Sequence, residues 1–461
     1  MLPETLARRA YAGNGAAEFD PDFLVADLCA VIDGVFERSE EIKGEITHAA
    51  SCAFWHGLLG VDEKGKPTTK VLTWADTRSR EYTNVLRKDF DETEVHTRTG
   101  ARFHSSFWPS KLLFLRKEKP DVWKQTNCWL SFSDYVCLLL CGTPTSSVSM
   151  ASATGIFDQR KCSWDVELLR YLGLNDSTVP FVVQDDSVSF GLSEEYSRRW
   201  PRLKNTRWFP AIGDGAANNL GSGCTTKDRA ALMIGTSGAM RVVYDGTPPA
   251  ESPSGLWSYR VDRKRVLIGG ALSDGGGLYH WLKQNLRVEI SDEEIAQEMT
   301  SRGADAHRLT VMPFFFGERS TGYNEHARGS IIGLNASHDA IDILQAAMEA
   351  VAFRMAEVFD QLMSVTTIKE IVISGGALEN SPVWTQIMAD VLGRDLLVSH
   401  RNEMSMHGAV YSASKMIDPA ETRSIVSSEP SIIEFHDKCN AVYKVARQRH
   451  ESLYLANTWR L

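Results

Sequence analysis

The stretch IKEIVISGGALENSPVWTQIMADVLG (368–393) constrains the fold more than any other in the chain. Ile371–Ser374 is a run of strand length that stops at two glycines, Gly375 and Gly376. Ser381 suits the N-cap of the helix that follows, Pro382 its first position and Gly393 its end. A strand that passes through adjacent glycines into a helix is typical of parallel α/β sheets, where ligands meet bare backbone at the strand's carboxyl end. A tight strand-to-helix turn without a ligand explains the same residues, so the stretch speaks to fold class before function.

Strand-like and helix-like segments alternate along all 461 residues, which predicts an α/β protein. The clearest helix is 340–363, where Ile341, Leu344, Met348, Val351, Met355, Val358 and Leu362 recur at spacings of three and four. Phe23–Ser39 carries a comparable stripe through Leu24, Leu28, Val31, Ile32 and Val35. EITHAASCAF (45–54), HGLLGVD (56–62) and TTKVLTW (68–74) read as short strands, and ALMIGTSGAMRVVYDG (231–246) as two strands joined by GTSG. A chain of this length exceeds one compact core. The polar CTTKDR (224–229) marks the expected boundary, with domains over 1–225 and 226–461.

The net charge is −9 and no basic run is interleaved with aromatics, which argues against nucleic acid as a partner. The longest apolar run, Val136–Cys141, is far below membrane-spanning length, so no membrane partner is expected. No signal-peptide h-region opens the sequence, and eight cysteines without CxxC spacing suggest neither a zinc site nor a disulfide framework. A cytoplasmic protein is expected.

FPAIGDGAANNLGSG (209–223) sets one charged side chain, Asp214, between Gly213 and Gly215. A carboxylate whose neighbours lack side chains suits a general base that must reach a substrate proton; an Asx turn is the structural alternative. IGTSGAM (234–240) offers Thr236, Ser237 and backbone N–H groups to an anion, although taken alone a plain hairpin turn is the better explanation. No GxxxxGK[ST] loop is present, and Gly213–Asp214–Gly215 does not continue into GxGxxG, so a dinucleotide oxidoreductase has little support.

GSIIGLNASHDAIDILQAAME (329–349) resembles, position by position, a signature of the FGGY family of carbohydrate kinases. The match runs through Gly329, Ile331, Gly333, Leu334, Asp342, Ile343, Ala346, Ala347, Met348 and Glu349. VLTWADTRS, RTGARFHSSFWPSKLLFL, IGDGAANNLGSG, MIGTSG, PFFFGERSTGYNEHARG and EMSMHGAV follow the family's order over nearly the whole chain. GDGAANNLGSG and FWHGLLGVD look most like gluconokinase-like members. The resemblance implies two actin-like, ribonuclease-H-like domains with a cleft between them. A small sugar, sugar acid or polyol would sit on the first domain, and ATP with Mg²⁺ between the two.

On that resemblance Asp214 is the catalytic base and also touches substrate, while His56, Asp76 and Arg78 match segments lining the sugar pocket. Gly235, Thr236 and Ser237 match the motif that grips the ATP phosphates. Gly375, Gly376 and Ala377 match the adenosine motif, with Asn380 beside it. Arg78 would suit gluconate's carboxylate through a bidentate pair, and an ion pair with Asp76 or a contact to a helix is its alternative. Trp55 and Trp74 read equally as core aromatics, and Glu318 and Arg319 as a structural ion pair. No residue is assigned to a metal, and a homodimer is left open.

Family members open with a hairpin bearing Asp-x-Gly-Thr, whose Asp helps hold Mg²⁺. No such motif occurs here, and MLPETLARRAYAGNGAAEFDPDFL resembles the stretch just after it. The first domain is therefore expected to be incomplete at its N-terminus by roughly 15–30 residues. Ser147 stands where relatives often carry an acid, and Trp108 where a small residue or Pro is usual. The expected function is ATP-dependent phosphorylation of a hydroxyl on a small sugar, sugar acid or polyol, gluconate first. The alternative is a catalytically inactive chain that binds sugar or nucleotide as a regulatory protein.

Overall fold

The computed structural model describes residues 15–38, 44–185, 188–399, 403–418, 420 and 430–456. Most of the opening stretch, residues 1–14, and Ser39 at the end of the first expected helix lie outside them.

Strands in the first half are short and pair two by two among the described residues. β1 (Cys52–Ala53) runs parallel to β2 (Ile212–Gly213), with Ile212 opposite Cys52, and β2 passes directly into α1 (Asp214–Gly221). Asp214 thus begins a helix, on a strand anchored to a distant part of the chain. Ser147 caps the short helix Val148–Ser152 by accepting from the Met150 N–H, and its hydroxyl donates to the Ala211 carbonyl at 2.6 Å. Ser147 therefore helps hold the strand that leads to Asp214. Trp108 is fully buried, stacks on Trp164 with centroids 6.4 Å apart and donates its indole N–H to the Gly57 carbonyl.

One expectation fails in the helix Pro21–Arg38: Val31 and Val35, placed on its buried stripe, are 61% and 49% exposed. Pro21, Val25 and Cys29 are buried instead, with Leu24, Ile32 and Phe36 packed beside them. This segment carries apolar residues around most of its circumference, so two stripes compete and packing decides between them.

The second half is built on a seven-stranded sheet. β3 (Arg229–Ile234) and β4 (Gly238–Asp245) form the expected hairpin across GTSG. β5 (Trp257–Arg260) and β6 (Arg265–Leu272) extend the sheet beyond β4. β7 (Glu370–Ser374), β8 (Leu396–Val398) and β9 (Ser431–Ile433) extend it on the other side. The strand order is β5-β6-β4-β3-β7-β8-β9, with β7 parallel to both β3 and β8. The carboxyl ends of β3, β6 and β7 consequently lie along one edge.

α2 (Gly276–Asn285) follows β6, and α3 (Ala340–Met363) buries all seven residues of its predicted stripe. Asp339 closes a capping box with Asp342 at the start of α3. α4 (Pro382–Leu392) has the Ser381 cap, Pro at its first position and Gly393 in the left-handed conformation, as its sequence predicts. Residues 222–228 carry no helix or strand.

Among the contacts that join the halves, two bear directly on the position of Asp214. A shared core takes Trp55, Phe107, Ile212 and Leu220 from the first half and Val243, Trp257, Tyr259 and Tyr323 from the second. α5 (Met404–Ile417) also crosses α1 so closely that a Cβ on Gly408 would overlap the Ala217 carbonyl, and one on Gly221 the Met404 carbonyl. Among the described residues no helix is long and apolar enough to cross a membrane.

Candidate active site

Asp214 opens into a partly enclosed cavity of about 100 Å³ between the halves. His56, Trp55, Trp74 and Ser106 line it from the first half, and Ser237, Arg241, Tyr259 and Arg319 from the second. The Asp214 side chain is exposed, and the space it faces is partly enclosed by protein. The low polarity of that surrounding pushes its pKa up from the ordinary carboxylate value; the Arg241 and Arg319 charges and the Gly215 N–H oppose the rise. Its Oδ1 accepts from the Gly215 N–H at 2.7 Å.

The flanking glycines serve the protein's own side chains. A Cβ on Gly213 would overlap the Trp55 indole, and one on Gly215 would sit 2.6 Å from that ring and 2.9 Å from Arg241 Nε. Trp55 is fixed by donating its N–H to the Ser149 carbonyl at 3.2 Å and by an edge contact to Tyr259 at 5.3 Å. It is both a buried aromatic and a wall of the cavity.

His56 adopts φ +68° and bonds the Ala153 carbonyl through Nδ1 at 2.6 Å. A carbonyl can only accept, so Nδ1 carries the proton, and burial pushes the imidazole pKa down to about 3. The ring is neutral at physiological pH, with Nε2 left as an acceptor suited to a hydroxyl. Lys111 holds this wall from behind, donating to the carbonyls of His56 at 2.9 Å and Ser106 at 2.8 Å.

Burial pushes the Lys111 amine down to about 7 from 10.5, partly opposed by Asp76. Between those values the unfolded chain holds a proton that the folded one has released, so stability must rise with pH through this window. From about pH 7.5 to about pH 9.5, the gain in urea-unfolding free energy should be roughly 1–2 kcal/mol larger for wild type than for Lys111→Met. Parallel pH profiles for the two proteins would show that the amine titrates normally.

Asp76 and Arg78 do not line the cavity. Asp76 is fully buried, accepts from the Ala17 N–H and holds Arg78 in a bidentate pair with Nη2 at 2.6 Å, while Glu18 takes the same Nη2 at 2.6 Å. Arg78 thus forms an ion pair with both Asp76 and Glu18. Glu318 and Arg319 are not paired with each other. Glu318 meets Arg354 at 2.7 Å in a buried pair, and Arg319 stacks on Trp74 at 4.4 Å and donates to the Leu272 carbonyl.

The glycine motifs meet along the sheet edge. Gly276 and Gly277 donate to the carbonyls of Gly235 and Thr236 at 2.7 and 3.0 Å, and a Cβ on Gly276 would lie 3.0 Å from that of Ala377. Gly375, at φ +97°, would bring a Cβ to 2.6 Å from the Ile234 carbonyl. Turn-on-turn packing therefore explains Gly276 and Gly375, whereas Gly235 faces open space with nothing within 4 Å of an added Cβ. Asn380 ends the short helix Gly376–Glu379 beside them. Ser237 belongs both to the GTSG turn and to the lining of the Asp214 cavity, so the two predicted sites meet at this residue.

Two groups of potential metal ligands occur among the described residues, Asp390–His436–Cys439 and Asp305–His307–Glu349, and neither includes a cavity residue. Sequence reasoning missed Arg241, Trp257 and Tyr259. For Arg241 a signal exists: it is the charged residue inside the apolar strand AMRVVY (239–244).

Models of the FGGY family of carbohydrate kinases match the chain twice, the N-terminal domain over residues 6–221 and the C-terminal domain over 230–417. The chain belongs to this family, and it is a carbohydrate kinase, a phosphotransferase with an alcohol acceptor and ATP as donor.

Among curated relatives, a gluconokinase of Bacillus subtilis (strain 168) is 28% identical over 371 residues, 77% of this chain and 71% of that protein. A xylulose kinase of Staphylococcus xylosus is 24% identical over 402 residues, 87% of this chain and 82% of its own length. Crystal structures of a ligand-bound xylulose kinase and a gluconate kinase from Lactobacillus acidophilus each superpose with a TM-score of 0.86 at 23% identity. Both alignments cover 96% of this chain and 91% of theirs, and they establish the two-domain α/β kinase fold.

Proposed function

We propose that the protein phosphorylates gluconate, with Asp214 as the general base that accepts the proton of the attacking hydroxyl. The observation that carries this reading is the shared cavity: one ionisable carboxylate stands in the space that also reaches Ser237 of the phosphate-type hairpin. ATP would supply the phosphoryl group, and an accompanying Mg²⁺ would offset its charge. The chain's own part is positioning. Neutral His56 accepts from a substrate hydroxyl through Nε2, the backbone and hydroxyls of Gly235, Thr236 and Ser237 hold phosphate oxygens, and Gly375, Gly376, Ala377 and Asn380 border the adenosine. The aromatic walls keep water away from the reacting hydroxyl.

We assign the sugar to residues 1–225 and the nucleotide chiefly to 226–461, and place the enzyme in the cytoplasm, where ATP is supplied. The gluconokinase relatives favour a sugar acid over a ketose. The alternative of a chain that binds without transferring has no observation in its favour. An ADP-release assay with gluconate, xylulose, glycerol and no sugar tests the assignment. Gluconate should give the highest kcat/KM, and a higher value for either neutral substrate would reject it.

A further inference from the structure

The cavity holds unmet hydrogen-bond donors that the proposed chemistry does not use. Arg241 is 8% exposed, yet neither Nε nor Nη1 has a hydrogen-bond partner among the described residues. The Tyr259 hydroxyl, on a residue 1% exposed, has none either. Both side chains line the cavity. Arg241 faces Gly269 across the sheet and Gly269 faces Trp257, and a Cβ on Gly269 would lie 3.1 Å from Arg241 Cγ and 3.0 Å from Trp257. The missing side chain makes the room these two need.

Among the described residues Asp214 is the one carboxylate in the lining, against the two guanidinium groups of Arg241 and Arg319. A buried guanidinium with unmet donors is costly until an anion arrives, and a planar carboxylate matches its fork. Position along β4 says which anion. Ser237, Ala239 and Arg241 all line the cavity, and the four-residue step from Ser237 to Arg241 spans about 13 Å of strand. Arg241 therefore leaves the strand well away from the phosphate-type hairpin, and its guanidinium packs against Gly215, the neighbour of Asp214. Gluconate likewise carries its carboxylate apart from its primary hydroxyl.

We propose that Arg241, assisted by the Tyr259 hydroxyl, receives the carboxylate of a sugar-acid substrate and makes the enzyme select acids over neutral polyols. This rests on the reading of the cavity as the sugar site. The test compares gluconate with glucitol, its neutral analogue bearing CH₂OH in place of the carboxylate, in wild type, R241M, R241K and Y259F. Steady-state assays read kcat/KM for each and KM for ATP, and calorimetry reads gluconate binding without nucleotide.

R241M should lower kcat/KM for gluconate by roughly 10²–10³-fold and erase the preference over glucitol, leaving KM for ATP within about threefold. Y259F should lower the gluconate value by about tenfold. R241K should fall between wild type and R241M, and carries the comparison if R241M does not fold. Equal losses for gluconate and glucitol, or a raised KM for ATP with gluconate binding intact, would overturn the proposal, the latter by assigning Arg241 to a nucleotide phosphate. If wild type turns over no sugar the functional reading fails instead, and calorimetry still decides whether Arg241 binds the acid.

Discussion

Asp214→Asn is expected to lower kcat for sugar phosphorylation by roughly 10²–10⁴-fold while leaving ATP and sugar binding within a few-fold of wild type. The amide has the shape of the carboxylate, and its oxygen can keep the 2.7 Å hydrogen bond from the Gly215 N–H. Basicity is what is lost. The native group also predicts a pH profile. Its pKa is raised by the surrounding protein, and the ionised form is the active one, so kcat/KM should fall as pH drops through a midpoint above the ordinary carboxylate value. Removing the Arg241 charge takes away an influence that favours ionisation, so R241M should move this acid limb to higher pH. Titration of kcat/KM from about pH 4 to about pH 8 reads both effects, and an acid limb that Asp214→Asn leaves in place would belong to another group.

Gly408→Ala should cost on the order of 3 kcal/mol or more of folding stability, a large share of what a domain possesses. An added Cβ would overlap the Ala217 carbonyl, and the obstacle is backbone in the middle of α1, which no rotamer change can move. Gly221 meets the Met404 carbonyl in the same crossing, so the helices touch through main chain at both points. The consequence reaches the site, because Asp214 is the first residue of α1 and any separation of the helices displaces it. Urea midpoints and kcat should therefore fall together. Gly191→Ala is the control: an added Cβ there meets nothing within 4 Å, and both quantities should stay near wild type. A Gly408→Ala protein of wild-type stability would mean the two helices are not held at this spacing.

Much of this was legible in the chain, and what was not has a common cause. The stripe of α3 and the caps of α4 are local patterns: each depends on residues within a few turns, and each was found where the sequence put it. The hairpin across GTSG is equally local. Asp214 could be singled out because its two glycine neighbours are adjacent in sequence. The reason for those glycines could not be, since Trp55 and Arg241 come from opposite sides of the cleft. Likewise the ion pair of Arg78 takes in Glu18, sixty positions away, as well as the neighbouring Asp76. The first helix shows the remaining limit: with apolar residues on most sides, periodicity alone does not say which face is covered.

The central claim is that the Asp214 cavity delivers phosphate to a sugar alcohol. It is tested most directly by incubating the full chain with γ-labelled ATP, Mg²⁺ and gluconate, and resolving the products. The account predicts label on the sugar acid as a phosphate monoester, formed by wild type and nearly absent with Asp214→Asn. Label appearing only as inorganic phosphate, or a labelled sugar acid formed equally well by Asp214→Asn, would contradict it.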